Sequence, residues 1–205
     1  MPHAIFIETN ADGAGGVAAY AAELPGCATF AATDEEAASA MPDRVRAFSA
    51  WLRGAGFEAP GELGENWYEV ERAAATPAGG LLERAAFSLD ELSPSDAEFA
   101  RWLGWLELAR EELAAAIDGA GEGTDLAPLA AIAAQDEQLA RSLGNTVDAA
   151  AGADDDPVDR LYVARDLLTE ALAAAGPTSE GVRRAVRLAI ADDLRAAERL
   201  REAGG

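Results

Sequence analysis

The residue types that most often build a metal centre or a nucleophilic site are scarce in this chain. Its 205 residues include one histidine, His3, and one cysteine, Cys27. A zinc-type site needs several nitrogen or sulfur ligands, and a nucleophile needs a base beside it. We therefore predict neither a metal nor a catalytic triad, and we assign no catalytic residue and no cofactor. His3 is predicted to lie at the surface and Cys27 to be a structural thiol.

Three aspartates occupy or border positions that helical periodicity assigns to the interior. Asp193 falls near the middle of the apolar stripe of the last predicted helix, whereas Asp192 lies at or beyond its edge. Asp136 belongs to the apolar stripe of another predicted helix. A lone buried carboxylate costs several kcal/mol. Each of these acids must therefore be paired, hydrated or close to an end of the helices.

Arg110 is the natural partner for these acids, because a guanidinium is always charged and binds a carboxylate through two nitrogens. One hypothesis is a buried cluster of Arg110 with Asp136, Asp192 and Asp193. In the alternative, the acids lie at the stripe edge in solvent. An Mg²⁺ or Ca²⁺ site built from the three aspartates is also conceivable, although no recognised ligand loop accompanies them.

Trp102 and Trp105 complete the candidate pocket. They are three residues apart on a predicted helix that also carries Arg110. They could line a ligand pocket, but aromatic residues at this spacing more often pack in the core or against another helix.

The first third of the chain is predicted to form a small α+β unit. Three strands are predicted at 4–9, 17–24 and 27–32, and a fourth at Trp67–Glu71. Residues 10–16 are rich in Asn, Asp and Gly, which is typical of a hairpin turn.

A helix is predicted to begin at Asp34, after the capping residue Thr33. Pro42 predicts a kink or a division into two short helices. Residues 57–66 are rich in turn formers, and a connecting helix is predicted over Leu81–Phe87.

Four long helices are predicted in the remainder of the chain. The first is predicted to begin within Ser93-Pro94-Ser95-Asp96, with Pro94 in its first turn, and to run to about Ile117. The approximate bounds of the others are Leu126–Leu143, Asp156–Ala175 and Ser179–Ala203. Their lengths and short connections are typical of a four-helix bundle. The boundary is placed at residues 74–80, which gives an α+β domain over 1–74 and an all-α bundle over 75–205.

The first domain resembles the HicB-like antitoxin domain over about residues 1–72. The match consists of two opening strands, then Leu24-Pro25-Gly26-Cys27, then Thr33-x-x-Glu36-Ala37 at the start of the helix. Ala31 stands where that family usually has Gly. The resemblance implies a ββαβ-type domain that masks a toxin RNase or serves as a small regulatory module.

The second domain is similar to the DinB-like four-helix bundles over about residues 90–202. Arg110 fits an arginine often found late in their first helix. The segments 129–144 and 182–200 resemble their second and fourth helices. The resemblance implies a thiol-transferase or hydrolase scaffold.

The metal ligands of that family are missing. Metal-binding members use one histidine on the second helix and two on the fourth, and the corresponding positions here are Asp192, Ala196 and approximately Ala131. The resemblance therefore implies a bundle that has lost its metal.

The charge of the chain restricts its partners. The formal net charge is -21, and all 16 basic residues are Arg. Such an acidic surface repels phosphate backbones, so we predict no general nucleic-acid binding. The densest basic cluster, Arg183, Arg184 and Arg187, is predicted to be a solvated helix face. Neither a membrane span nor a signal peptide is recognised, so a soluble cytoplasmic protein is expected.

These observations favour a non-enzymatic binding or protein-interaction scaffold. The first alternative is a metal-independent thiol transferase that uses the bundle cavity. The second is a HicB-type antitoxin that masks a partner RNase through the N-terminal domain. A homodimer is expected by analogy with DinB-like bundles.

Overall fold

A computed structural model of the chain describes residues 3–59, 67–78, 81–121, 123–146 and 156–204. The chain divides into two compact units, Met1–Glu91 and Leu92–Gly205. The first contains a small sheet and a helix, and the second is helical, so the α+β prediction is confirmed at this coarse level. The first unit extends past the predicted boundary at residue 74 because the segment up to Glu91 packs against its sheet.

The first unit is built on a four-stranded sheet. Its strands are β1 (His3–Thr9), β2 (Val17–Ala21), β3 (Ala28–Ala31) and β4 (Trp67–Ala74), in the order β3-β2-β1-β4. β1 is antiparallel to β2 and parallel to β4. The predicted hairpin turn is confirmed between β1 and β2. Asn10 there has a φ of 56° and Gly13 a φ of 75°, which is the backbone region that these two residue types tolerate best.

One continuous helix, α1 (Asp34–Gly54), packs against the sheet. Its N-cap Thr33 accepts a hydrogen bond from the Glu36 amide at 3.3 Å, as predicted. Pro42 lies inside the helix, so the division into two short helices is wrong. A proline in a helix interior costs about 3 kcal/mol. The fully buried neighbours Met41 and Leu52 show that packing on the sheet outweighs this cost.

A hairpin follows β4 in place of the predicted connecting helix. β5 (Thr76–Ala78) pairs antiparallel with β6 (Leu81–Glu83), so the helix prediction for residues 81–87 is wrong. The next residues lie on the second face of the sheet, where the Phe87 ring is 5.2 Å from Phe6 and 6.1 Å from Tyr20. These aromatic contacts, together with the pairing of β5 and β6, favour an extended path over a helix. Residues 60–66 of the predicted turn-rich segment lie outside the described part of the chain.

A buried ion pair joins this segment to β1. The fully buried Glu8 carboxylate accepts hydrogen bonds from Arg84 Nη2 at 2.9 Å, from Tyr20 Oη at 2.7 Å and from the Ala85 amide at 2.5 Å. Burial by itself raises the pKa of Glu8, but these donors and the Arg84 charge hold that pKa below its usual value. Glu8 is therefore ionised and fully paired inside the unit.

The described residues of the second unit form four helices that pack together. They are α2 (Asp96–Asp118), α3 (Leu129–Ser142), α4 (Pro157–Ala175) and α5 (Val182–Gly204). Ser95 and Glu98 form a reciprocal capping box at the start of α2, and Asp156 caps α4 by accepting from the Val158 amide at 2.7 Å. α2 packs on α5, α5 on α3, and α3 on α4. Each helix contributes to an apolar core that includes Leu113, Leu129, Leu161 and Leu200.

Among the described residues, we find no helix with the length and apolar character that crossing a membrane requires.

Replacing Arg84 by Met should destabilise the first unit strongly. The substitution leaves the Glu8 carboxylate buried without its counter-ion, which typically costs about 3–5 kcal/mol. Urea unfolding measures this change. The double variant Glu8→Gln/Arg84→Met should recover part of the loss. Arg46→Met, which removes an exposed ion pair with Asp43, is the control and should change the free energy of unfolding by less than about 1 kcal/mol. Equal effects of Arg84→Met and Arg46→Met would contradict the role given to Glu8.

Candidate functional site

A buried ion pair connects α4 and α5 in the second unit. Arg165 Nη2 donates a hydrogen bond to Asp193 Oδ1, and the two residues are only 3% and 1% exposed. Asp193 therefore lies in the interior, as its place in the apolar stripe predicts, and not in solvent. The sequence prediction missed Arg165. The signal was present, because Arg165 shares one face of α4 with the buried Leu161, Leu168 and Leu172.

Arg110 belongs to the same cluster. We predicted a direct bond from Arg110 to a carboxylate, but it forms none among the described residues. Its Nη1 donates to Thr169 Oγ1 on α4. Burial lowers the pKa of Arg110, and the nearby Asp136 and Asp193 offset this shift only in part. Nε and Nη2 of Arg110 are buried and have no hydrogen-bond partner among the described residues.

Asp136 is the carboxyl group of the cluster on α3, and it is 2% exposed. Burial raises the pKa of Asp136 to about 8, the nearby Asp193 raises it as well, and Arg110 and Arg165 oppose these effects. Burial also raises the pKa of Asp193. Because Asp193 accepts a hydrogen bond from Arg165, it is the better stabilised anion of the two. Asp136, which accepts no such hydrogen bond among the described contacts, keeps a proton up to about pH 8.

Asp192 is half-buried at the edge of the cluster, where its charge contributes to the raised pKa values of Asp136 and Asp193. Among the described residues, no group of three or more His, Cys, Asp or Glu side chains could hold a metal ion. The three aspartates therefore do not form the alternative Mg²⁺ or Ca²⁺ site. The cations Arg165 and Arg110 lie among the carboxyl groups where a metal ion would have to bind.

The three positions that correspond to metal ligands in DinB-like proteins differ in their surroundings. Asp192 and Ala196 are half-buried on α5, whereas Ala131 is exposed on α3. The position on α3 that the structure places in the cluster is Asp136.

Trp102 and Trp105 belong to the packed interior of the second unit. They are 4% and 2% exposed, respectively. The Arg183 guanidinium lies 4.7 Å from the ring centroid of Trp102. Burial to this degree favours the core alternative over a pocket lining for both residues.

The basic residues of α5 do not all lie in solvent, as the sequence had predicted they would. Arg183 covers the face of a tryptophan, and Arg187 is only 3% exposed. The interpretation of Arg183, Arg184 and Arg187 as one solvated helix face is therefore wrong for Arg187. Aliphatic stems of arginines commonly cover apolar surface in this way.

The two residues with nucleophilic or metal-binding chemistry both lie in the first unit. His3 is 9% exposed, so its predicted surface position is wrong, and it contacts Trp67 at a centroid distance of 5.0 Å and Glu23 Oε1 at 3.5 Å. Cys27 is fully buried, and burial raises the pKa of its thiol to about 12. A protonated, inaccessible thiol agrees with the predicted structural role.

No family model, curated protein or solved structure matches this chain. Its function is therefore inferred from the arrangement of its own side chains.

The substitution Asp136→Asn should make the stability of the protein less dependent on pH. In the unfolded chain Asp136 has its ordinary pKa of 3.8, and in the folded protein its pKa is about 8. The folded state therefore binds the extra proton between these values, and its stability falls as the pH rises through this window to about 8. A difference of one bound proton between the folded and unfolded states changes the free energy of unfolding by at most about 1.4 kcal/mol per pH unit.

Urea unfolding between pH 5 and 9 measures this slope. Asp136→Asn should unfold at higher urea than the unmodified protein at pH 8, because the amide cannot ionise. Glu107→Gln, which neutralises an exposed carboxylate on α2, should leave the slope unchanged. A slope that is the same in Asp136→Asn and the unmodified protein would mean that Asp136 is already ionised at neutral pH.

Proposed function

We propose that the protein is a non-enzymatic binding protein, in which a DinB-like helical unit has replaced its metal ligands by paired buried charges. The observation that carries the proposal is the cluster of Arg110, Asp136, Arg165 and Asp193. Each of the four helices contributes one member. Charged groups at this depth are costly unless they are paired or bind a ligand, so their place in the interior points to binding.

The chemistry of the cluster supports binding more than catalysis. Thiol transfer needs a metal or a base that activates the attacking sulfur. The Asp193 carboxylate is held by Arg165, and the neighbouring Asp136 is protonated at neutral pH. A protonated carboxyl group beside two guanidinium groups has little capacity to remove a proton from a substrate.

The purified protein should therefore bind no stoichiometric transition metal and conjugate no thiol. Elemental analysis after incubation with Zn²⁺ or Ni²⁺ and gel filtration measures the first property. Incubation with glutathione, bacillithiol or mycothiol and an electrophilic acceptor, followed by mass spectrometry, measures the second. Asp193→Asn serves as the matched variant, because loss of activity in it would locate any turnover at the cluster. One metal ion per chain, or turnover that Asp193→Asn abolishes, would refute the proposal.

A second candidate function is that of a HicB-type antitoxin, which the first unit favours. The supporting topology is three antiparallel strands, a helix, and a final strand parallel to β1. β4 lies at an edge of the sheet formed by the described strands, and it exposes Tyr68 and Val70, each at 48%. An edge strand with exposed apolar residues is suited to binding another chain.

This candidate predicts a stable complex with a small RNase encoded beside the gene. Co-expression of the two proteins followed by gel filtration tests it. Tyr68→Ser/Val70→Thr should weaken the complex at least about tenfold, since each buried apolar side chain contributes on the order of 1.5 kcal/mol or more. Tyr162→Ser alters an exposed tyrosine of the second unit and should have no effect. The candidate fails if the two proteins elute separately.

A further inference from the structure

The four charged side chains of the second unit converge from four helices around one position. Arg110 comes from α2, Asp136 from α3, Arg165 from α4 and Asp193 from α5. α2 packs on α5, α5 on α3, and α3 on α4. The hydrogen bond between Arg110 and Thr169 then links α4 back to α2. The cluster thus lies inside the ring of helices, with Arg110 at the seam between α2 and α4.

Three buried hydrogen-bond donors of the cluster lack a partner among the described residues. They are Nε and Nη2 of Arg110 and Nε of Arg165. A buried donor without an acceptor costs about 1–3 kcal/mol, and more when it is charged. Nε and Nη2 form the side-on edge of a guanidinium, where two parallel N–H groups match the two oxygens of a carboxylate.

The charges around these donors favour a ligand with a small negative charge. Two guanidinium groups, those of Arg110 and Arg165, lie near Asp136, and burial raises the pKa of Asp136 to about 8. Asp193 and the half-buried Asp192 already place carboxyl groups at the cluster. A dianion would add a second negative charge to these buried surroundings, which is costly.

Arg110 is the most exposed of the four charged side chains. It is half-buried, and its Nη1 donates a hydrogen bond to the exposed Thr169. Nε and Nη2 form the other edge of the guanidinium and are buried. A ligand that approaches beside Thr169 would therefore meet Nη1 first and reach the free edge behind it.

We propose that this cluster is a binding site for a small monoanionic carboxylate, which enters between α2 and α4 and bonds to Arg110 Nε and Nη2 through its two oxygens. The inference rests on the proposed binding function, because it names the ligand class of that site. The planar carboxylate fits the geometry of the free edge and brings only one negative charge to the Arg110 guanidinium.

Thermal unfolding of the full chain at pH 7 tests the inference. Acetate, butyrate and benzoate are added singly, with chloride and phosphate at matched ionic strength as comparisons. At least one monocarboxylate should raise the unfolding temperature by several degrees more than chloride or phosphate, in a saturable manner. If none exceeds chloride, the carboxylate site is refuted, while the absence of turnover would still support a non-enzymatic protein.

Variants locate the effect. Arg110→Lys keeps the charge but removes the planar two-nitrogen edge, so affinity should fall at least about tenfold. Arg201→Met removes an arginine of α5 that bonds to Glu112 away from the cluster, and it should bind like the unmodified protein. Equal affinity in Arg110→Lys and Arg201→Met would overturn the assignment of the site.

The pH dependence provides a second readout that does not require Arg110 to be changed. The charged groups around the ligand position are Arg110, Arg165, Asp136, Asp193, Asp192 and Asp166. As the pH rises from 7 to 9, Asp136 ionises and adds a negative charge near the ligand, so affinity should fall several-fold. In Asp136→Asn it should stay nearly constant over this range. An affinity that is independent of pH in the unmodified protein would contradict the charge argument.

Discussion

The cost of burying a charge governs both units of this protein. An ionised side chain removed from water loses several kcal/mol of hydration unless opposite charges and hydrogen bonds replace it. The helical unit places Arg165 and Asp193 at 3% and 1% exposure and resolves the cost by joining them directly. Arg110 and Asp136 lie close enough to this pair for its charges to act on their pKa values. Without the pair, an isolated guanidinium on α4 and an isolated carboxylate on α5 would oppose the packing of the two helices.

The first unit meets the same constraint with a different result. Glu8 points from the central part of β1 to the face of the sheet that Phe6 and Tyr20 share, and Arg84 arrives there from a segment far along the chain. The ion pair thereby ties that segment to the sheet. This contact explains why the first unit includes residues beyond 74, since the sheet would otherwise expose a buried carboxylate and the aromatic rings that Phe87 covers.

Periodicity and turn chemistry predicted most of the secondary structure, because these signals are local. The capping residue Thr33 and the glycine-rich hairpin turn are examples in which neighbouring residues determine the backbone. The errors arise where distant contacts decide. Residues 81–87 include types with high helix propensity. However, residues 81–83 pair with β5, and Phe87 packs against aromatic rings of β1 and β2. Pro42 stands in a helix because tertiary packing outweighs its local cost.

The sequence predicted three members of the candidate site, Arg110, Asp136 and Asp193, but neither Arg165 nor the pairing of the charges. Helical spacing placed Asp136 and Asp193 in the interior and identified Arg110 as a nearby cation. Helical spacing could not show which of these charged residues pair with one another. The rotation and axial position of one helix relative to another depend on side chains along the whole contact. Arg165 pairs with Asp193 because α4 and α5 bring them together, which a single helix cannot reveal.

The two buried clusters differ in a way that separates a structural role from a binding role. In the Glu8 cluster, one carboxylate faces one guanidinium, and the hydroxyl and amide donors around it point at acceptors. Such a network is complete and needs nothing further. In the helical unit, two guanidinium groups face a carboxyl pair that holds a proton, and three buried N–H positions have no acceptor among the described residues. Both clusters pay the cost of desolvation, but only the second has donors that an incoming anion would satisfy, and the seam beside Thr169 is where such an anion would enter.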